Sequence, residues 1–551
     1  LFRRLLDGRI PLLPFVYGLQ ACILASRLRF YKEWPLPPAK EMFGHDLAVP
    51  IFLHIKYFKW IIVAMAAVFL LILVALLIRK AFAGTGSRLG RWLVSGLPRV
   101  SRYGAVVVLV TLLGVNVAAA LVPHPAVQHP YNVIWVSWDS VRADHLSTYG
   151  YARPTTPALD RFAEEAVVYE SAYAQHNWTR PSYASMFASK HVWEMPGWLG
   201  KPEPLTFPEI LMNHGYRTFG YIQNANLYAE LNFAQGFEIY LERNGDLPPE
   251  EMSEHALRRI REQSASGQPF FLFLHIMEPH FPYRHDNPYI PEFVASDVAL
   301  ISELELQKFM ASNGADWDPS AADAADKIRY MLDMYDATLR NTDDSLGQLV
   351  ELLKSSGLWE NSLVIFNSDH GDEFHERGEF GHAHRNVYPE LTAVPLLVHY
   401  PAELGIPAGR LSDPVQQLDI YPTVLDVLGI TLPQPVSGHS LLTHNRPVEE
   451  AAVAVSTVNG VMAIRTRQQS LVTDLDSDNT PQVFNRIADP LELSPMVGQA
   501  AVADQPPFKQ KLLWYAGIHE QIMEDESGGL GGQEDLSEEL RRRLNALGYI
   551  Q

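Results

Sequence analysis

Apolar positions along this chain fall into two regimes, long unbroken runs up to Val122 and short runs interleaved with helical periodicity after it. Every residue from Ile61 to Ile78 (IIVAMAAVFLLILVALLI) is apolar, about the length needed to cross a hydrocarbon layer. Gly104 to Val122 (GAVVVLVTLLGVNVAAALV) is a second such run, interrupted only by Thr111 and Asn116. Both are predicted to be transmembrane helices. Ile10 to Ser26 is a weaker third segment, whose prolines and Gln20 leave it open between a span, a re-entrant piece and an interfacial helix. The chain starts at Leu1 rather than Met, which leaves room for a preceding portion with further spans.

Beyond Val122 the short runs are Asn132 to Trp138, Arg217 to Ile222, Phe270 to Ile276, Ser362 to Ser368 and Pro395 to Tyr400. Each has the length and continuity of a strand buried on both faces. Their alternation with helical patterns predicts an α/β fold, a mostly parallel sheet sandwiched by helices. Thr156 to Ala166 reads as a helix with Pro157 in its first turn, and Tyr335 to Leu353 as a longer one. His285 to Asp326 is irregular and acidic, an expected surface excursion. From about Ser437 the pattern becomes shorter and more β-like, which predicts a small C-terminal α+β subdomain. The expected organisation is a membrane region over residues 1–122, a large α/β domain over 123–436, the subdomain over 437–505 and a helical tail over 506–551.

Charge divides at the same boundary. Residues 1–122 hold 15 basic and 4 acidic side chains, and the remainder holds 29 basic and 59 acidic, a net charge of −30. So acidic a domain makes nucleic acid a poor partner. Arg79, Lys80, Arg88, Arg91, Arg99 and Arg102 lie between the two firm spans with no acidic residue among them, which puts that loop in the cytoplasm. The domain after Val122 is then extracytoplasmic, or periplasmic, on a multi-pass inner (cell) membrane protein, although the mildly basic loop from Arg27 to Lys59 argues for the opposite orientation. The single cysteine, Cys22, excludes a disulfide framework and thiol catalysis in the soluble part.

Candidate chemistry sits at strand ends. The first strand runs into Asp139 and the fourth into Asp369-His370; ligands collect beyond the carboxyl ends of strands in open parallel sheets. Such a set suits one divalent metal ion, and the imidazole favours zinc or manganese over calcium or magnesium. An aspartate after a strand is also a common turn or helix cap. The run SDHGDEFHERGEFGHAH (Ser368 to His384) adds four histidines and five acids within seventeen residues, and His280 lies between prolines just past the third strand. NWTRPSYASM (Asn177 to Met186) admits two readings. Asn177-Trp178-Thr179 is a glycosylation acceptor that requires an exposed loop, whereas Thr179 opening a helix with Pro181 near its start presents a hydroxyl nucleophile.

Taken in order, these motifs resemble the sulfatase family of the alkaline phosphatase superfamily from Asn132 to about Ser494. The resemblance rests on NVIWVSWDSVRADHLSTYGY, TTPALDRFA, WTRPSYASMFAS, PHFPY, NSDHGDEFHERGEFGH, VPLLVHYP, QLDIYPTVLDVLGI and FNRIADPLEL. It implies an alkaline-phosphatase-like fold with Thr179 at the nucleophile position. It also implies one metal site from Asp139, Thr179, Asp369 and His370, with His280 and His382 holding ester oxygens or protonating the leaving group. His384 is the alternative to His382, and Arg180 would clamp a substrate oxygen. Arg142, Asp144 and His145 belong to the same stretch, with local ion pairing as good an account of them as catalysis.

The chain departs from the sulfatase pattern at three places. Thr179 stands where a cysteine or serine would be converted to formylglycine, Tyr183 where the motif has arginine, and Ser140 where a second metal-binding acid is usual. A threonine nucleophile on one metal is similar to the phosphoethanolamine and glycerol-phosphate transferases of bacterial envelopes. The expected activity is therefore a metal-dependent hydrolase or transferase acting on phosphate or sulfate esters, with a phospholipid head group as donor and the membrane as partner. Two alternatives stand beside it: a two-metal phosphodiesterase or phosphatase using Glu278, His280 and His382 for a second ion, and a non-catalytic lipid-binding regulator.

Overall fold

The central strand β1 (Asn132–Trp138) is buried along its whole length and hydrogen-bonded on both sides. In the computed structural model the described residues are 127–195, 205–243, 248–295, 323–382, 385–442, 454–458, 460–474 and 481–496, with Phe508 and Lys511. The chain divides into two compact units at His124/Pro125, and every described residue belongs to the second. The three apolar segments expected at the membrane lie outside the described residues, among which no helix is long and apolar enough to cross one.

The other strands are β2 (Val167–Tyr169), β3 (Ala172–Tyr173), β4 (Arg217–Ile222), β5 (Ile239–Glu242), β6 (Phe270–Ile276), β7 (Ser362–Ser368), β8 (Glu373–Phe374), β9 (Phe380–Gly381), β10 (Leu396–His399), β11 (Gly409–Leu411) and β12 (Val415–Gln416). Eight of them form one sheet in the order β11-β2-β10-β7-β1-β6-β4-β5. Pairing is parallel throughout except around β10, which runs antiparallel to both β7 and β2. The sheet is therefore mixed, with one reversed strand. The five sequence-predicted runs correspond to β1, β4, β6, β7 and β10.

Alternation of side chains divides each central strand between two apolar layers. Val133 and Trp135 of β1, Phe271 and Phe273 of β6, and Leu363 and Ile365 of β7 enter one layer. Ile134, Val136, Trp138, Leu272, Leu274, Val364 and Phe366 enter the other. Both faces are covered by helices, which is why these strands read as continuous apolar runs.

Six helices matter here: α1 (Pro157–Ala163), α2 (Thr179–Ala188), α3 (Phe207–Asn213), α4 (Pro249–Ser264), α5 (Ala324–Ser355) and α6 (Ile420–Val427). All ten residues of α2 are buried, with Tyr183, Met186 and Phe187 in the first layer. The long amphipathic α5 supports the second layer through Tyr335, Leu339, Leu346 and Leu353. Its Asp343 accepts hydrogen bonds from the Ala158 and Leu159 amides at 2.6 and 2.9 Å, satisfying two first-turn donors of α1 from another element.

The last strands, β13 (Ala454–Val458), β14 (Val461–Arg465), β15 (Gln469–Asp474) and β16 (Gln482–Asn485), form a separate four-stranded antiparallel sheet. Buried Arg465 pairs with Glu492 at 2.8 Å and donates to the Val387 carbonyl at 2.7 Å. Arg377 bonds Glu390 and the backbone carbonyls of Leu491 and Glu492. These contacts fasten the loop between β7 and β10 to the segment that follows β16.

Candidate active site

Four strand ends and one helix start converge beyond the carboxyl edge of the sheet. Asp139 follows β1 directly, and the chain turns at once through Ser140, whose φ of 60° is in the left-handed region. For a residue with a side chain that conformation carries strain, and such strain collects at functional sites. The Ser140 amide donates to Asp369 Oδ1 at 3.1 Å, and its hydroxyl donates to Asp139 Oδ1 at 3.1 Å. Ser140 thus occupies the second-acid position as a hydrogen-bond bridge between the two aspartates.

Asp369 and His370 follow β7. The Gln417 side chain holds their backbone by donating to the carbonyls of Ser368 and Asp369, the latter at 3.1 Å. Gly371 comes next because the chain passes against the Glu390 carbonyl, which a Cβ would approach to 2.2 Å. Ligand atoms of Asp139, Asp369 and His370 all lie within 4.8 Å of one another, and all three residues are fully buried. His370 Nε2 is 3.4 Å from Asp369 Oδ2 and 3.7 Å from Asp139 Oδ1.

Thr179 is the first residue of α2, as the Thr179/Pro181 spacing predicts, and is itself buried. Its Oγ1 lies 3.3 Å from His370 Nε2. The first turn of α2 carries no acidic side chain, so its amides and the helix dipole present positive potential at the hydroxyl. Neighbouring Asn177 is 2 % exposed, which is incompatible with the glycosylation reading in the folded protein.

His382 donates or accepts at Nδ1 with Asp372 Oδ1 at 2.6 Å, and its ring stands 4.2 Å from that of His370. The His280 ring is 5.1 Å from His382, so the two histidines line the same side of the cluster. Arg180 is buried beside the nucleophile, with Nη2 on Asn226 Oδ1 at 2.9 Å and its guanidinium 5.2 Å from the Trp178 ring. His384 lies outside the described residues. Arg142 pairs with Asp144 and Glu376, and His145 with Asp336. These are the local ion pairs that the sequence offered as the alternative to catalysis.

Three site residues escaped the sequence reading. Asn224, just past β4, donates to Asp139 Oδ2 at 2.5 Å and to Thr179 Oγ1 at 3.4 Å. His275, in β6, brings Nε2 to 3.4 Å from Asp139 Oδ2. Asp372 orients His382 and completes a second cluster with His370. The only sequence signal for these three is a polar residue at or near the end of an apolar run. Glu278, expected to help hold a second ion, is absent from both metal-capable clusters among the described residues. Its Oε1 instead accepts from Asn341 of α5 at 3.4 Å.

The electrostatics are those of a crowded, buried acid pair. Burial works to raise the Asp139 carboxyl, but His280, His275 and His370 outweigh it and hold the group well below the usual range. Asp369 is pushed up to about 6 by burial and by the Asp139 charge. Burial opposes protonation of His370, yet Asp369, Asp139 and Asp372 together raise it. His382 falls to about 4 because it is buried and faces His370, so its imidazole is neutral at pH 7. A divalent cation fits this donor set: Asp369 Oδ2 is a buried oxygen without a hydrogen-bond partner, and carboxylates, an imidazole and a hydroxyl surround it.

A mixed sheet sandwiched by helices, with acids and histidines gathered at its carboxyl edge, defines an alkaline-phosphatase-like α/β hydrolase. The Sulfatase family model matches residues 131–430, and the chain belongs to that family. A model for the C-terminal region of N-sulphoglucosamine sulphohydrolase matches residues 378–513. An ulvan-active sulfatase of Formosa agariphila is 23% identical over 413 residues, covering 67% of this chain and 77% of the relative. Arylsulfatase K of Bos taurus is 26% identical over 401 residues, covering 61% and 73%. Among solved structures, a phosphonate monoester hydrolase of Agrobacterium radiobacter superposes with a TM-score of 0.56 at 18% identity, covering 71% of this chain and 96% of that one. A protein in complex with its substrate D-glucosamine-2-N,6-O-disulfate superposes with a TM-score of 0.53 at 21% identity, covering 73% and 99%. The chain is a sulfatase-like hydrolase of a family whose members generally bind a divalent metal ion.

Proposed function

We propose that this protein cleaves phosphate esters through Thr179 as a covalent nucleophile and passes the phosphoryl-bearing group to water or to a second hydroxyl. The observation that carries the reading is the Thr179 hydroxyl, 3.3 Å from His370 Nε2 at the buried, positive end of α2. Threonine cannot become formylglycine, the group on which sulfate-ester turnover in the family depends, whereas a plain hydroxyl suffices to attack phosphorus. Asp139, Asp369 and His370, with Thr179, would hold one cation, for which zinc or manganese suits the nitrogen and oxygen donors best. When bound, that ion supplies Lewis-acid stabilisation of the hydroxyl's conjugate base and of ester oxygens.

The remaining roles fall to side chains. Arg180 and Asn224, which lie beside the nucleophile, would bind non-bridging ester oxygens, and the α2 amides favour the anion. Thr179 gives its hydroxyl proton to neutral His280 or His382, and its Oγ1 forms the new bond to phosphorus as the bond from phosphorus to the ester oxygen breaks. The same histidine then passes that proton to the departing oxygen and is neutral again. His382, neutral and oriented by Asp372, then serves as base for the incoming hydroxyl.

The donor we favour is a phospholipid head group such as phosphoethanolamine or glycerol phosphate, with the domain held on the extracytoplasmic side of a membrane. The apolar runs from Ile61 to Ile78 and from Gly104 to Val122, and the basic loop between them, support that placement. Sulfate-ester hydrolysis is the second reading, favoured by the sulfatases among the relatives. Peptide mass spectrometry on the segment containing Thr179, from protein purified out of its own membranes, tests both. A phosphoethanolamine, glycerol-phosphate or phosphoryl adduct on Thr179 is expected. An unmodified threonine together with turnover of sulfate but not phosphate esters would overturn the proposal.

A further inference from the structure

Ser137, His275 and Asn367 stand side by side across β1, β6 and β7, in one row of the sheet register. Their strand parity puts them on the face that packs under α2, where Ser137 Oγ meets Tyr183 Oη at 2.6 Å and Asn367 Oδ1 accepts from Trp135 Nε1 at 2.7 Å. His275 differs from its two neighbours. It is completely buried, the Tyr183 ring packs edge-on against it at 5.3 Å, and neither ring nitrogen completes a hydrogen bond of good geometry. A buried imidazole without a partner is costly. The polar atom its Nε2 faces is Asp139 Oδ2, at 3.4 Å.

We propose that His275 is a positioning residue that sets the orientation of the Asp139 carboxylate toward the metal. This inference rests on the reading that Asp139, Asp369 and His370 hold a cation. Asp139 Oδ2 is contacted from one side by Asn224 Nδ2 at 2.5 Å and faced by His275 Nε2 at 3.4 Å, while Oδ1 points toward His370 Nε2 at 3.7 Å. One N–H donor, from Asn224, and the His275 imidazole facing the same oxygen restrain the carboxylate plane, and Oδ1, which also accepts from the Ser140 hydroxyl, is turned toward the cluster. Partners of this kind, one shell out from a metal, set the orientation and basicity of its ligand. His275 itself lies outside the Asp139, Asp369 and His370 cluster, so it acts through Asp139 rather than as a further protein ligand.

The test compares Zn2+ and Mn2+ affinity by chelator competition on the full-length chain, alongside the melting temperature of each metal-free protein. Glutamine can place its amide N–H where Nε2 stands, whereas the shorter asparagine places one nearer Nδ1. We expect His275→Asn and His275→Ala to bind metal about 10–100-fold more weakly than wild type, the usual effect of losing such a partner. His275→Gln should recover most of the loss, with unchanged metal-free melting temperatures. Equal affinities for the Gln and Asn variants, or wild-type affinity in both, would overturn the inference. Because Gln and Asn are both small and polar, the comparison holds even if the Ala variant fails to fold. Asp369→Ala separates the two levels: if it binds metal like wild type, the metal site is wrong; if it loses metal while His275→Asn does not, only the role of His275 fails.

Discussion

Tyr183 Oη and Ser137 Oγ share a buried hydrogen bond of 2.6 Å that joins the helix carrying the nucleophile to the central strand carrying Asp139. Tyr183 stands where the sulfatase motif has arginine, and here the position supplies a neutral buried hydroxyl contact beneath the site.

Tyr183→Phe should therefore destabilise the protein by about 1–3 kcal/mol, since Ser137 Oγ is left buried without its partner. Ser137→Ala in the same background should recover part of that loss. Denaturant melts of the two single variants and the double variant check the coupling.

Thr179→Ala should lower kcat by at least ~10³-fold, as removal of a covalent nucleophile does, while leaving metal binding by the carboxylates largely in place. Thr179→Ser keeps a hydroxyl at the start of α2 and should retain turnover. Steady-state rates on an aryl phosphate, with metal content measured in parallel, decide the point.

Metal should reverse a stability ranking. Without an ion, burial and the neighbouring Asp139 penalise ionised Asp369, whose carboxyl is pushed up to about 6, so Asp369→Asn should melt higher than wild type at pH 8. With Zn2+ at a hundredfold excess over its dissociation constant, wild type should gain about 2.7 kcal/mol and the variant almost nothing. Calorimetric scans with and without chelator test the crossing.

Glu278 offers a pH signature away from the metal. Burial pushes its carboxyl up to about 7, against the opposing pull of Arg284 and Asn341. The folded state holds this proton more tightly than the unfolded chain, so stability is full near pH 4.5 and declines as pH rises to about 7. Glu278→Gln should remove that decline, matching wild type at pH 4.5 and exceeding it by up to about 3 kcal/mol at pH 8. Urea midpoints across that range are the measurement.

The sheet was readable because its central strands are buried on both faces, which leaves uninterrupted apolar runs such as FFLFLHI. Strand β11 escaped because all three of its residues are exposed, and β2 because three residues carry no period. The reversal of β10 leaves no trace in composition, since antiparallel and parallel neighbours bury it equally. Helix α5 begins at Ala324 rather than Tyr335, its first turns being polar and partly exposed beside an acidic stretch. Within the site, Asp139, Thr179, Asp369 and His370 were legible because each closes a strand or opens a helix inside a longer motif. Asn224 and His275 are polar residues at the ends of apolar runs with no motif around them, and Asp372 is one of five acids in a crowded run, so the significance of each comes from its partners in the fold.

The buried Arg465–Glu492 pair and the contacts of Arg377 to Leu491 and Glu492 have a consequence for the newly made protein. Thr179 and Asp139 leave the ribosome before the loop carrying His382, and the segment that braces that loop is synthesised after it. A nascent chain halted before β16 already holds Asp139, Thr179 and His382 but lacks the Glu492 carboxylate and the backbone carbonyls that brace the loop, so the geometry around His382 is fastened later than the strands beside it.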